Sequence, residues 1–212
     1  MDFSELSQMV ITGDHKGAER WTRETLEAGA APRAIIDQGL VPGMGEVGRR
    51  FKCNEFHLPE VLVAARAMKA SMKLVRPLVT GPAAATKGRV VIGTVRGDLH
   101  DIGKSLVSMM LEGAGFTVHD LGVDVAPEAF VKAVTEDEAD LVGLSGLLTT
   151  AMPMMGQTVK ALRAAHPDGH VKIMVGGAPV SQAYARQIGA DGYAPDGATA
   201  VEVASALLAR PT

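Results

Sequence analysis

The chain of 212 residues holds a single cysteine, Cys53. One thiol excludes an internal disulfide and any multi-cysteine metal site. Aromatic residues make up only 4%, against 47% hydrophobic residues in all, so Ala, Val, Leu and Met must do the packing. No uninterrupted apolar run approaches the length of a membrane span, so no membrane is expected as a partner. The start, Met1-Asp2-Phe3-Ser4-Glu5, lacks the basic and apolar regions of a signal peptide, and a soluble cytoplasmic protein is the expectation. The formal net charge is -3 with no block of like charge, so the footprint of a nucleic-acid binder is missing too.

What is there divides in two. Residues 1–80 read as a helical bundle. Ser4 is placed to cap a first helix carrying Phe3, Leu6, Met9 and Val10 on one side, and Gly13-Asp14 breaks it. Ala18, Trp21, Thr25 and Ala28 keep helical spacing as far as Gly29. Pro32 suits the first turn of a third helix through Ile35, Ile36 and Leu40, which Pro42 and Gly43 interrupt or kink. A fourth helix opens at Leu58-Pro59-Glu60 and carries Val61, Leu62, Ala65, Met68, Met72 and Val75. Short connections imply an antiparallel four-helix bundle. Residues 81–87 carry small residues without apolar periodicity and read as a linker.

Residues 88–212 alternate strand and helix. Strands are expected over 89–95, 116–121, 141–145, 171–175 and 192–194, with helices over 102–114, 127–135, 152–165, 179–188 and 198–208. Five such units imply an α/β domain with a parallel sheet covered on both faces. Right-handed crossovers and the length suit a flavodoxin-like, Rossmann-type five-stranded sheet in the order 2-1-3-4-5. The loops after strands one, three, four and five then share one edge. They carry Asp98-Leu99-His100, Ser145 to Thr150, Gly176-Gly177-Ala178 and Tyr193-Ala194-Pro195-Asp196. Open α/β sheets bind large ligands at such an edge.

The loop after the first strand, Gly97 to Ser105, decides the chemistry. It ends in Gly-Lys-Ser as a phosphate-binding loop does, but five residues separate Gly97 from Gly103 where that motif requires four. Asp98 and Asp101 would also set negative charge against a phosphate. Ser145, His100 and Asp98 do not make a hydrolytic triad, because the second Gly of a nucleophile elbow is missing and the residue order is wrong. A phosphoreceiver would want an acidic residue where Ser145 ends the third strand, and a Lys where Tyr193-Ala194-Pro195 ends the fifth. What fits is one His as a metal ligand. Asp98, two residues before His100, is placed to bond one ring nitrogen, fixing the tautomer and raising the basicity of the other. One protein ligand is too few for zinc. It suffices where a macrocycle supplies the rest.

At these residues the chain resembles the cobalamin-binding corrinoid proteins of methyl-transfer systems, including the corresponding region of cobalamin-dependent methionine synthase. The family's Asp-x-His-x-x-Gly motif is matched by Asp98, His100 and Gly103 inside Gly-Asp-x-His-Asp-Ile-Gly-Lys, which includes Asp101 and Ile102. Ser-x-Leu is matched by Ser145 and Leu147, and Gly-Gly by Gly176 and Gly177. The run Gly-Tyr-Ala-Pro-Asp, with Tyr193, is similar to the family as well. So are Gly43-Met44-Gly45, Val47-Gly48, Phe51 and Phe56-His57-Leu58-Pro59-Glu60 of its helical cap.

The resemblance implies cobalamin, cycling between cob(I)alamin and methylcobalamin, with His100 replacing the cofactor's own base below cobalt. It implies that the displaced tail passes Gly103 and Gly176-Gly177, where a backbone without side chains permits close approach. Ser145 and Thr149 would bond that tail and Leu147 would line it. The helical bundle would cover the upper cobalt face, with Met44, Phe51 and Leu58 as lid residues. Methionine synthase has a Ser six residues after the Ser of Ser-x-Leu, and Ala151 stands there here. The relay behind His100 then stops at Asp98, or borrows Thr150 or a water. The implied partners are a substrate-specific methyltransferase, an acceptor methyltransferase using tetrahydrofolate or a thiol, and a reductive activase. The chain itself would be a carrier subunit without a complete catalytic site.

A cobalamin-dependent sensor is the alternative. Sensors of that kind that respond to light carry Trp, nine residues, then Glu-His in the bundle, and here those positions hold Gly48, Leu58 and Pro59. The small subunits of radical mutases share the binding motifs but lack the four-helix cap.

Overall fold

The computed structural model describes residues 2–79 and 86–209. The chain divides into two compact units, Met1–Ala85 with Glu112–Gly115, and Thr86–Leu111 with Phe116–Thr212. Residues 80–85, which hold most of the expected linker, lie outside the described residues.

The first unit is helical. α1 (Phe3–Thr12) buries Leu6 and Val10, and α2 (His15–Glu27) buries Gly17, Ala18, Thr22 and Thr25. The cap of α1 is Asp2, not Ser4: the Asp2 carboxylate accepts the Ser4 N–H at 2.9 Å. Both residue types cap well, and the chain uses the one that lies outside the helix. α3 (Pro32–Ala34) runs unbroken through a π-helical stretch, Ile35–Leu40, into α4 (Val41–Lys52). Pro42 therefore widens the helix and does not end it. Its missing N–H and its ring are incompatible with a regular turn, and an i→i−5 bond from Val41 N to Ile36 O absorbs the misfit. α5 (Leu58–Val75) starts with a capping box in which Glu60 accepts the His57 N–H at 2.9 Å. Inside the bundle the Thr22 hydroxyl donates to Ser71 at 2.9 Å, and both residues are fully buried. That bond ties α2 to α5 and satisfies two polar groups that burial would otherwise penalise.

The second unit is a parallel five-stranded sheet in the order β2-β1-β3-β4-β5, the order expected. Its elements are β1 (Arg89–Thr94), α6 (Ile102–Gly113), β2 (Thr117–Asp120), α7 (Pro127–Asp137), β3 (Leu141–Ser145), α8 (Met152–Ala165), β4 (Lys172–Gly176), α9 (Gln182–Ile188), β5 (Gly192–Ala194) and α10 (Gly197–Leu207). Strands with two buried faces read as continuous apolar runs, which is why β1, β3 and β4 stand out in the sequence, whereas the edge strand β2 is largely exposed. On one face Val91, Val142, Leu144, Ile173 and Val175 pack with Phe130, Val134, Met155, Val159 and Leu162 of α7 and α8. Residues of alternate parity, among them Val90, Ile92, Leu141 and Met174, are buried on the other face. The register then sets four residues side by side at the carboxyl edge: Thr94 pairs with Ser145, Ser145 with Gly176, and Gly176 with Ala194. That row is the floor of the candidate site.

Candidate metal-ligand site at the carboxyl edge of the sheet

Beyond Thr94 the chain leaves β1 and loops over the sheet edge. Asp98 is fully buried, whereas the His100 side chain is 52% exposed. The Asp98 Oδ1 accepts two bonds from His100, from its backbone N–H at 3.0 Å and from its ring Nδ1 at 2.7 Å. Oδ2 accepts the Leu147 N–H at 2.6 Å and the Leu148 N–H at 3.0 Å. Burial alone would push the Asp98 carboxyl up. The N–H donors of His100, Leu148 and Leu147 outweigh it and hold the carboxyl low, at about 2. An ionised Asp98 makes Nδ1 the protonated ring nitrogen, which leaves the Nε2 lone pair of His100 open.

Three motifs that are far apart in the sequence thus form one stack. The Asp98 carboxylate caps the amides of Leu147 and Leu148. Gly146, between Ser145 and Leu147, donates its N–H to the Gly176 carbonyl at 3.2 Å. A Cβ on Gly177, whose φ is +127°, would lie 1.9 Å from the Gly146 carbonyl oxygen, and one on Gly176 would lie 2.7 Å from the Ala194 carbonyl oxygen. The protein's own backbone is therefore already a reason for glycine at both positions. Gly103 differs: a Cβ there would meet nothing within 4 Å. Gly103 is exposed, so no contact within the protein requires glycine there.

Of the other expected residues, Asp101, Ile102 and Gly103 are exposed around the start of α6, Ile102 at 71%. Thr149 is exposed in a short 3-10 turn, Thr149–Ala151, and neither it nor Thr150 bonds the Asp98 carboxylate. The protein partners of the Asp98 carboxylate are the His100 ring and the backbone N–H groups of His100, Leu147 and Leu148. Tyr193 packs against the apolar cluster of the α7–α8 face, on the opposite side of the sheet from Ser145. Met44 is a buried core residue of the helical unit and Leu58 is half-buried there. Lys104, which made the loop resemble a phosphate site, has a nearly buried ammonium paired with Asp120. Three contacts were not foreseen: Thr94, Asp124 and Leu148. A polar Thr closing an apolar strand is a readable signal for the first, and a backbone amide leaves none for the last.

Among the described residues no group of three or more His, Cys, Asp or Glu could hold a metal ion. The donor set is one neutral imidazole, so any metal bound here must bring its other ligands with it. Leu99 and Ile102 in the His100 loop, and Leu147 and Leu148 whose amides bind Asp98, are exposed apolar side chains suited to a broad organic ligand. The class so defined is a Rossmann-like protein for a macrocyclic metal cofactor.

Comparison with known proteins makes the class specific. Residues 88–204 match a family model described as a B12 binding domain, and residues 3–76 match a second model of the same description. Dimethylamine corrinoid protein 1 of Methanosarcina acetivorans is 44% identical over 206 residues, covering 97% of this chain and 96% of the relative. A corrinoid protein of Desulfitobacterium hafniense is 36% identical over 209 residues, 97% of each chain. Among solved structures, a novel cobalamin-binding protein from Desulfitobacterium hafniense superposes with a TM-score of 0.79 at 31% identity, covering 97% of this chain and 98% of that one. The methanol:cobalamin methyltransferase complex of Methanosarcina barkeri gives 0.82 at 30% identity, covering 98% of this chain and 79% of that one. The chain belongs to the cobalamin-binding corrinoid proteins of methyltransferase systems, and cobalamin is its cofactor. The single His donor with its open Nε2 and the exposed apolar side chains beside it fit that cofactor. Among the described residues no helix is long and apolar enough to cross a membrane.

Proposed function

We propose that this chain is a methyl carrier that holds cobalamin with its own base displaced and His100 in its place. The observation that carries this reading is the His100–Asp98 pair, with Nδ1 engaged at 2.7 Å by a buried carboxylate and Nε2 left open. Bound cobalamin supplies a cobalt centre that accepts a methyl group from one partner and releases it to another. The protein contributes the ligand and its orientation. Asp98 keeps the imidazole in one tautomer and stabilises positive charge on it. The amides of Leu147 and Leu148 fix Asp98 in turn, so the ligand points in one direction through a methylation cycle. Ser145 and Thr149 are the hydroxyls proposed to bond the displaced tail, past Gly103.

The donor partner is a methyltransferase specific for a methylamine, and dimethylamine is proposed as its substrate from the likeness to dimethylamine corrinoid proteins. The acceptor partner is a methyltransferase acting on tetrahydrofolate or a thiol, with a reductive activase to restore the reduced cofactor.

The test is anaerobic reconstitution of the apoprotein with cobalamin, followed by addition of a dimethylamine-specific methyltransferase and dimethylamine. The expected results are one corrinoid per chain, the spectrum of a base-displaced, imidazole-ligated cobalt, and dimethylamine-dependent methylation of the cofactor. A protein that retains no corrinoid refutes the carrier reading. Methylation from methanol but not dimethylamine refutes only the donor.

A further inference from the structure

We propose that Asp124 and Thr94 are positioning residues that clasp the His100 loop from outside the Asp98 stack, so that the direction of the cobalt ligand depends on them. This rests on the His100-ligand reading above. Asp124 lies between β2 and α7 and shares no motif with the site. It is one of three non-glycine residues with positive φ among those described, at +54°. Such a conformation costs a side-chain-bearing residue free energy, and Asp and Asn tolerate it best. Its partners account for the strain. The Asp124 carboxylate accepts the Gly97 N–H at 2.7 Å, and the Asp124 N–H donates to the Asp98 carbonyl at 3.0 Å. One residue thus grips the backbone at Gly97 and again at Asp98, immediately before His100. On either side of Asp124 the pairing continues: Thr94 N donates to Gly122 O, Val125 N to Thr94 O, and Arg96 N to Val125 O.

Thr94 holds the far end. It is fully buried in the last position of β1, and its hydroxyl donates to the His100 carbonyl at 2.8 Å. The loop from 97 to 100 is therefore fixed at Gly97 and the Asp98 carbonyl by Asp124, at the Asp98 carboxylate by the Leu147 and Leu148 amides, and at the His100 carbonyl by Thr94. Asp98 orients the ring about its own bonds. The clasp sets where the backbone carrying that ring stands. A shift of the order of 1 Å in a metal ligand's backbone is enough to loosen ligation.

The experiment compares Asp124→Gly, Asp124→Asn, Thr94→Val and Thr94→Ser with the parent protein and with His100→Ala. Asp124→Gly relieves the backbone strain but removes the acceptor. Asp124→Asn keeps an acceptor oxygen, as Thr94→Ser keeps the hydroxyl. Each protein is loaded with cobalamin and reduced to the paramagnetic Co(II) state. Electron paramagnetic resonance then reads the nitrogen splitting of the axial ligand. Hydrogen exchange of the Gly97 amide in the apoprotein reports the clasp without cofactor. The expected result is a several-fold loss of the nitrogen-ligated fraction in Asp124→Gly and Thr94→Val, with corrinoid retained and the Gly97 amide deprotected in Asp124→Gly. Asp124→Asn and Thr94→Ser are expected to stay close to the parent. A parent-like nitrogen signal in both Asp124→Gly and Thr94→Val overturns the clasp while leaving His100 as ligand. A parent protein without any nitrogen splitting overturns the ligand reading and the clasp with it.

Discussion

The second unit contains two Asp-x-His triplets, Asp98-Leu99-His100 and Asp168-Gly169-His170, and locally they are near copies. In each, the carboxylate bonds the ring Nδ1 of the His two residues on, at 2.7 Å and 2.6 Å, and accepts that residue's backbone N–H, at 3.0 Å and 3.4 Å. What differs is everything around them. The first follows β1 at the carboxyl edge of the sheet, and the second precedes β4 at the opposite edge. The Asp98 side chain is fully buried and the Asp168 side chain is 65% exposed. Asp98 also takes the amides of Leu147 and Leu148. The pair geometry is thus a property of the short triplet. The stack beneath the first triplet and the sheet edge it stands on are what distinguish it as the proposed ligand site.

The largest expected effect separates the two histidines. His100→Ala should abolish axial nitrogen ligation of bound cobalt, read by electron paramagnetic resonance, whereas His170→Ala should leave the spectrum unchanged. Equal spectra in the two variants would break the comparison at its root. Next come the two carboxylates. Asp98→Ala removes the buried acceptor of three backbone N–H groups and should destabilise the apoprotein by about 3 kcal/mol. Asp168→Ala removes a solvated pair and should leave the unfolding midpoint close to that of the parent. Denaturant unfolding of both variants measures the gap. Gly177→Ala probes the stack without touching either triplet. Its Cβ would clash with the Gly146 carbonyl in a backbone conformation that disfavours any side chain. A loss of about 3 kcal/mol in the same unfolding measurement is expected.

The two halves were unequally legible in the sequence. The parallel sheet was readable because buried strands leave unbroken apolar runs and each crossover leaves a helical pattern, and the strand order came out as expected. In the helical unit, periodicity placed the helices but not their local conformation. It could not tell Asp2 from Ser4 as a cap, nor a π-helical bulge at Ile35–Leu40 from a break at Pro42. In the site, His100 and Asp98 were legible because two-residue spacing alone creates their bond. The same logic would have selected Asp168 and His170, and only the strand order tells the two pairs apart. The amide donors of Leu147 and Leu148 and the clasp residue Asp124 were not legible. Their roles arise from backbone groups, or from contacts between loops far apart in sequence, and no residue type marks those. The Gly-Gly pair was legible as a motif, but the contact of position 177 with the Gly146 carbonyl was not.

The smallest effect concerns acid. Asp98 titrates at about 2 in the folded chain, below its ordinary value of 3.8. A carboxyl held low in the native state stabilises it above the unfolded value, and that contribution is lost as pH falls from about 4 towards 2. A shift of this size corresponds to about 2 kcal/mol. The Asp168 carboxyl is also held low, first by its hydrogen bond to His170, but it stands in solvent. Its contribution should be small and screened by salt. Apoprotein stability measured from pH 5 to pH 2.5 should therefore fall less steeply in Asp98→Asn than in the parent. Asp168→Asn should follow the parent curve in 0.5 M salt. If Asp168→Asn flattened the acid limb as much as Asp98→Asn, burial and the two extra amides would not be what distinguishes the carboxylates. The difference between the triplets would then lie in their place on the sheet alone.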